Sequence, residues 1–217
     1  MSFTVPIVVL VISISVGHLF SEDYETGSYE VLYSSRYGRN KLFFARIFAS
    51  FLFMLGVMTV FLGVGIFGSF FFLTMDGGDL PIQAMSTLIL YPWTIKETFV
   101  WQVALICLGG TAVVILSLAI SLLSKRTFVN YGVLLGFYAV SRYSSMMGMG
   151  ENRPLGRIVV SFPFCLGMDF GYERYQVYYF FGKPMTFYEF VPGFYLLLLP
   201  LVVLFLYVFQ QQQDQKK

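Results

Sequence analysis

Long apolar runs, separated by short clusters of charge, decide what this chain can fold into. A helix needs about 20 mostly apolar residues to cross roughly 30 Å of hydrocarbon. Five stretches qualify or nearly qualify: 3–20, 44–75, 99–124, 127–147 and 190–209. Charged residues make up only 12% of the chain, about half the roughly 25% usual in soluble domains. Hydrophobic residues reach 57% and the mean hydropathy is +0.73. Aromatics, at 19%, suit a lipid-exposed surface with interfacial belts. The expectation is an all-α integral membrane protein of about five transmembrane helices. Residues 1–217 form a single domain, without internal repeat or heptad pattern.

Orientation follows from the basic residues of the loops. Arg36, Arg39, Lys41, Lys125, Arg126, Lys216 and Lys217 would share one side. Lys96, Arg153, Arg157, Arg174 and Lys183 are spread over two longer segments on the other. The denser side is expected to be the cytoplasm, which puts the N-terminus outside. The first run lacks a positive leader and a small-x-small cleavage site, so it reads as a retained span. Gly56, Gly63, Gly65 and Gly68 in the second run suit close helix contacts, or else simply weaken that helix. Of the two outer segments, 76–98 opens as a turn at Asp76-Gly77-Gly78-Asp79. The other, 149–189, holds an apolar run too short to span and then the aromatic run 172–181. That pattern fits a re-entrant or interfacial hairpin. Cys107 and Cys165 lack ligand spacing and read as apolar fillers, with a disulfide between them left open.

The most informative residues lie between the first two spans, in 21–41. Ser21 is placed to cap a short surface helix, with Glu22, Asp23 and Glu25 in its first turn, where the helix dipole favours negative charge. Tyr24, Val31 and Leu32 share a face at helical spacing, which leaves Glu25 and Glu30 toward water or a partner. Ser34, Ser35 and Gly38 would end the helix, and Arg36, Arg39 and Lys41 would sit at headgroup level.

The run 25–46 also resembles the cytoplasmic segment of type-2 ABC transporter permeases. That family has an acidic residue before Gly-Thr, then leucines, a Ser-x-Pro-x-Ser-Arg stretch and a base opening the next span. Glu25, Gly27, Ser28, Leu32, Ser34, Arg39 and Arg46 stand at the matching positions. The departures are Ser28 for threonine, Arg36 where proline is usual and Gly38 for the second serine. The family has six spans, and the run 3–20 occupies the position of its second. A natural short form, a different start or completion by a partner would each account for that. The resemblance implies that Glu25, Glu30 and Arg39 belong to a coupling helix that docks on a separate ATPase. Its partners would be cytoplasmic ABC ATPase subunits, an identical or related second permease and the lipid bilayer of the cell membrane. Mg-ATP would bind to the partner, and this chain would hold no cofactor.

Other chemistries are poorly served. No Gly-x-x-x-x-Gly-Lys-Ser/Thr run is present, so ATP hydrolysis is expected on another chain and not here. The net charge of +2 argues against nucleic acid. His18, the one histidine, stands a helical turn from Glu22, and two such residues fall short of a metal site. No His-Glu-x-x-His or Gly-x-Ser-x-Gly run marks a hydrolase. Arg142 is the single charge inside a span, about 22 Å along the helix from Thr127. It reads as a snorkelling residue, or as lining an outer gate. The expected function is the permease subunit of an ATP-driven exporter of amphipathic, peptide-like or drug-like molecules. The alternative class is a membrane protein without an ATPase, such as a channel, an assembly factor or an immunity protein.

Overall fold

The computed structural model describes residues 4–28, 38–72, 78–84, 90–124, 126–146, 163, 177–180 and 182–215. They form six α-helices and one β-hairpin. The helices are α1 (Thr4–Gly17), α2 (Ser21–Thr26), α3 (Gly38–Phe72), α4 (Ile95–Ser124), α5 (Thr127–Met146) and α6 (Phe187–Gln215). Among the described residues, four segments are long and apolar enough to cross a membrane: Ile7–Thr26, Lys41–Gly68, Ile95–Ser124 and Phe187–Gln212. The fifth expected span is the helix α5, whose described apolar part, Thr127–Ser141, is shorter.

α4 is the central element. Over half of its apolar window, 56%, is buried, against 17% for those of α3 and α6. Small residues permit this: Gly109, Gly110, Ala112, Ser117 and Ser121 all lie on its buried surface. In lipid, where burial from water cannot drive helix association, close backbone approach and dense packing are what hold helices together. α1, α3, α5 and α6 all pack on α4. The main core joins Val9, Ile12 and Val16 of α1 to Met54 and Met58 of α3, Val113, Val114 and Leu118 of α4, and Leu134 of α5.

Among the described residues, two glycines make close approaches between helices. A Cβ on Gly110 would lie 2.8 Å from Met58 Cε, and one on Gly17 would lie 3.1 Å from Leu134 Cδ1. At Gly56, Gly63 and Gly68, by contrast, an added Cβ meets nothing within 4 Å. Those three α3 glycines make no close helix contact among the described residues.

The ends of α4 and α6 opposite α2 are fastened by side-chain caps. Thr94 N donates to Glu97 Oε2 at 2.9 Å and Glu97 N to Thr94 Oγ1 at 3.3 Å, a reciprocal capping box that opens α4. Thr186 N donates to Glu189 Oε2 at 2.9 Å at the start of α6. Of the turn expected at 76–79, Gly78 and Asp79 are described and are held to the start of α4: Lys96 pairs with Asp79 at 2.9 Å, and the backbone N of Lys96 bonds Gly78 O. The aromatic run before α6 ends in an antiparallel hairpin of β1 (Val177–Phe180) and β2 (Lys183–Thr186), with Gly182 at φ +77° in its turn. Residues 149–162 and 164–176 of the expected hairpin segment lie outside the described residues. Tyr91, Trp93, Trp101 and Tyr188 stack on one another at this end, with ring centroids 4.7–6.0 Å apart.

Candidate functional site

The segment after α1 is tied to three long helices at once. A turn at 18–20 carries the chain from α1 into α2, and Gly27 ends α2 in a left-handed conformation at φ +70°. The helix is therefore six residues long; Val31 and Leu32, expected on its apolar face, lie outside the described residues. Gly38 opens α3, and Ser34 and Ser35, expected with it to end the surface helix, lie outside the described residues. Ser21 is not the N-cap. Phe20 holds that position without a side-chain cap bond, and Ser21 is the first helical residue.

The missing cap comes from across the bundle. Ser121 Oγ of α4 accepts from Phe20 N at 3.1 Å and from Ser21 N at 3.0 Å. Both backbone donors at the bend are satisfied by one fully buried hydroxyl. Ser21 Oγ lies 3.1 Å from Thr127 Oγ1, which brings in the start of α5.

The second tie runs to α3. Asp23, in the first turn as expected, is buried and forms an ion pair with Arg46. The guanidinium also lies over the Phe20 ring, 5.2 Å from its centroid. The buried residues of α2 are thus polar, Ser21 and Asp23, while Tyr24 is half-buried.

The third tie is Glu25. Its carboxylate accepts from Thr127 N at 2.7 Å and from Thr127 Oγ1 at 3.0 Å. An acceptor with a full negative charge at a helix N-terminus meets both an orphan donor and the positive end of the macrodipole. Glu25 remains exposed while holding α5.

The other expected site residues fall as follows. Ser28 Oγ lies 2.9 Å from Thr26 Oγ1, and Gly27 is open to solvent. Glu30, Leu32 and Ser34 lie outside the described residues. Arg39 and Arg142 are placed by backbone alone, in α3 and α5, their side chains being outside the described residues. Of the expected set, the structure therefore brings Glu25 and Arg46 into one assembly with Asp23, Ser121 and Thr127, which the sequence had not marked. His18 Nε2 stands 3.7 Å from Glu22 Oε2, on the exposed side of the turn. Among the described residues no group of three or more His, Cys, Asp or Glu side chains is placed to hold a metal.

One turn deeper, Asn130 is fully buried and neither of its side-chain polar atoms is hydrogen-bonded among the described residues. Gly17 makes room for it, since a Cβ there would lie 3.4 Å from Asn130 Nδ2. Ser117 Oγ, also buried, is likewise unbonded. Comparison of the chain with protein-family models, with curated proteins and with solved structures matches none of them.

Proposed function

We propose that the chain is the membrane-spanning subunit of an ATP-driven exporter, with α2 and the residues after it serving as the element that receives force from a separate ATPase. The observation that carries this reading is the three-point fastening of α2. A helix of six residues is too short to be stable alone, yet this one is joined to α3 by Asp23–Arg46, to α4 through Ser121 and to α5 through Glu25. A push on α2 is delivered to three helices together, whereas an ordinary surface helix resting on an apolar face would slide. Arg46 and Glu25 thus act as transmitting residues, and Glu22 is exposed on the outward side. The apolar, aromatic character of the chain favours an amphipathic, peptide-like or drug-like cargo.

The test is a crosslink. A cysteine at Glu30 or Glu22 is expected to crosslink to a co-expressed ATPase subunit in a manner that changes with bound nucleotide. Stable co-purification without any crosslink from either position would remove the coupling assignment. ATPase stimulation of the purified complex by small inorganic ions alone would remove the cargo class.

A further inference from the structure

A cavity of about 780 Å³ opens along the side of the bundle, walled by α3 and α6 and floored by α4. That volume lies in the range of small-molecule pockets. Its floor is Cys107, Leu108, Thr111 and Ile115, and its walls are almost wholly aliphatic and aromatic. Each wall carries large apolar side chains, Phe44 and Phe51 on α3 and Leu196, Leu199 and Tyr207 on α6.

Its length and its ends narrow the occupant. On α6 the lining runs from Leu196 to Tyr207, about 16 Å at 1.5 Å per residue. That is close to half of a hydrocarbon core of roughly 30 Å, the depth of one leaflet. One end is closed by the rings of Phe44 and Tyr207, whose centroids stand 5.7 Å apart. Just beyond that closure the surroundings turn polar and positive. Gln211 Nε2 donates to Tyr207 Oη at 2.7 Å. Lys41 is exposed on α3, three residues before Phe44 and so on the same side of that helix. The first turn of α3 carries no acidic residue and presents the positive end of its dipole. An apolar slot of one-leaflet length with a cationic end is complementary to an acyl chain that carries an anionic head. A transmembrane helix of a second copy would need both leaflets' depth, about twice what the groove offers.

We propose that this groove binds one anionic phospholipid from the leaflet on the Lys41 side, its acyl chain along Thr111 and Leu108 and its phosphate at the level of Lys41. The inference rests on the reading that these helices cross a membrane, and it is independent of any ATPase.

The experiment uses the full-length protein in lipid nanodiscs containing phosphatidylglycerol with a diazirine at mid-chain, and in parallel the phosphatidylcholine analogue. After irradiation, adducts are mapped by mass spectrometry. Phosphatidylglycerol adducts are expected to concentrate on Leu108, Leu199 and Val203 over the equally apolar but outward Val64 and Phe67 by at least fivefold. Thr111→Phe, which fills the floor, should abolish that enrichment while leaving the Val64 and Phe67 adducts unchanged. Lys41→Glu should lower the phosphatidylglycerol signal severalfold and leave the phosphatidylcholine signal as it was. Adducts spread evenly over all lipid-facing residues would overturn the site, as would indifference of both lipids to both substitutions. A Cys107-to-Cys107 disulfide between copies, formed on oxidation in a Cys165→Ser background, would also overturn it by making the occupant a second protein chain. Membrane insertion of each variant is read separately by protease protection, so loss of insertion is distinguished from loss of lipid.

Discussion

The Asp23–Arg46 pair allows the fastening of α2 to be tested with a worked magnitude. The two side chains retain only 12% and 15% of their exposure. Removing one member of a buried pair strands the other charge and costs about 3–5 kcal/mol. Arg46→Met leaves the Asp23 carboxylate in that position, and its small residual access to water places the loss near the lower bound, about 3 kcal/mol. Asp23→Asn is milder, about 1–2 kcal/mol, because the guanidinium keeps its place over Phe20 and its long stem can carry it outward. The double variant strands no charge and should lose only about 1 kcal/mol. For a chain of this size each kcal/mol moves the unfolding midpoint by about 2–4 °C. In detergent, Arg46→Met should therefore melt about 6–12 °C low by tryptophan fluorescence, with Asp23→Asn in the Arg46→Met background restoring most of the difference. A double variant whose loss equals the sum of the two single losses would refute the buried pair, since independent sites add.

Four further outcomes follow from the geometry. Glu25→Ala should release the α5 N-terminus, speeding hydrogen exchange at Thr127 and Phe128 by about 1 kcal/mol of lost protection; unchanged exchange would dismiss the cap. Asn130→Leu removes two unbonded buried polar atoms and should raise stability by about 1–3 kcal/mol in the same melt, whereas a fall would show that the amide has a partner. Gly110→Leu should cost at least about 1–3 kcal/mol by forcing α3 off α4, while Gly56→Ala, with open space around it, should be neutral or stabilising by up to about 1 kcal/mol. Tyr188→Ala should cost about 3 kcal/mol and shift tryptophan emission to the red, because its ring is packed against both Trp93 and Trp101; an unshifted spectrum would contradict that packing.

The long helices were legible because a bilayer-length apolar run has few other folds open to it. Their ends were less so. α4 begins at Ile95 and α6 at Phe187, each earlier than its apolar run, because Thr94 with Glu97 and Thr186 with Glu189 extend the helix through polar residues. Both are Thr-x-x-Glu in the sequence, the signature that would have found them. The fastening of α2 was half legible. Glu25 and Arg46 stood out by position, but Asp23 already had a sufficient local explanation in the first turn of a helix. Its pairing with a residue 23 positions on is a property of the fold, with no spacing rule to announce it. Ser121 and Thr127 read as small fillers in or beside an apolar run, and only the bend at 18–20 gives them backbone donors and a carboxylate to meet. The glycines illustrate the same limit. Which of them face a neighbour depends on helix rotation, and close helix approaches fall at Gly17 and Gly110 and not at Gly56, Gly63 or Gly68 of α3.

Ser121 has one more consequence, for how the molecule meets bilayers of different thickness. A bend in a membrane-spanning chain normally has to wait for water, because its bared amides find no partner in lipid. Here a single hydroxyl stands in for that water, so the depth of the bend is set by where Ser121 sits on α4, a turn before the helix ends. In a thinner or thicker membrane the headgroups shift relative to the helices. The short helix after the bend keeps its height on α4 and does not follow them.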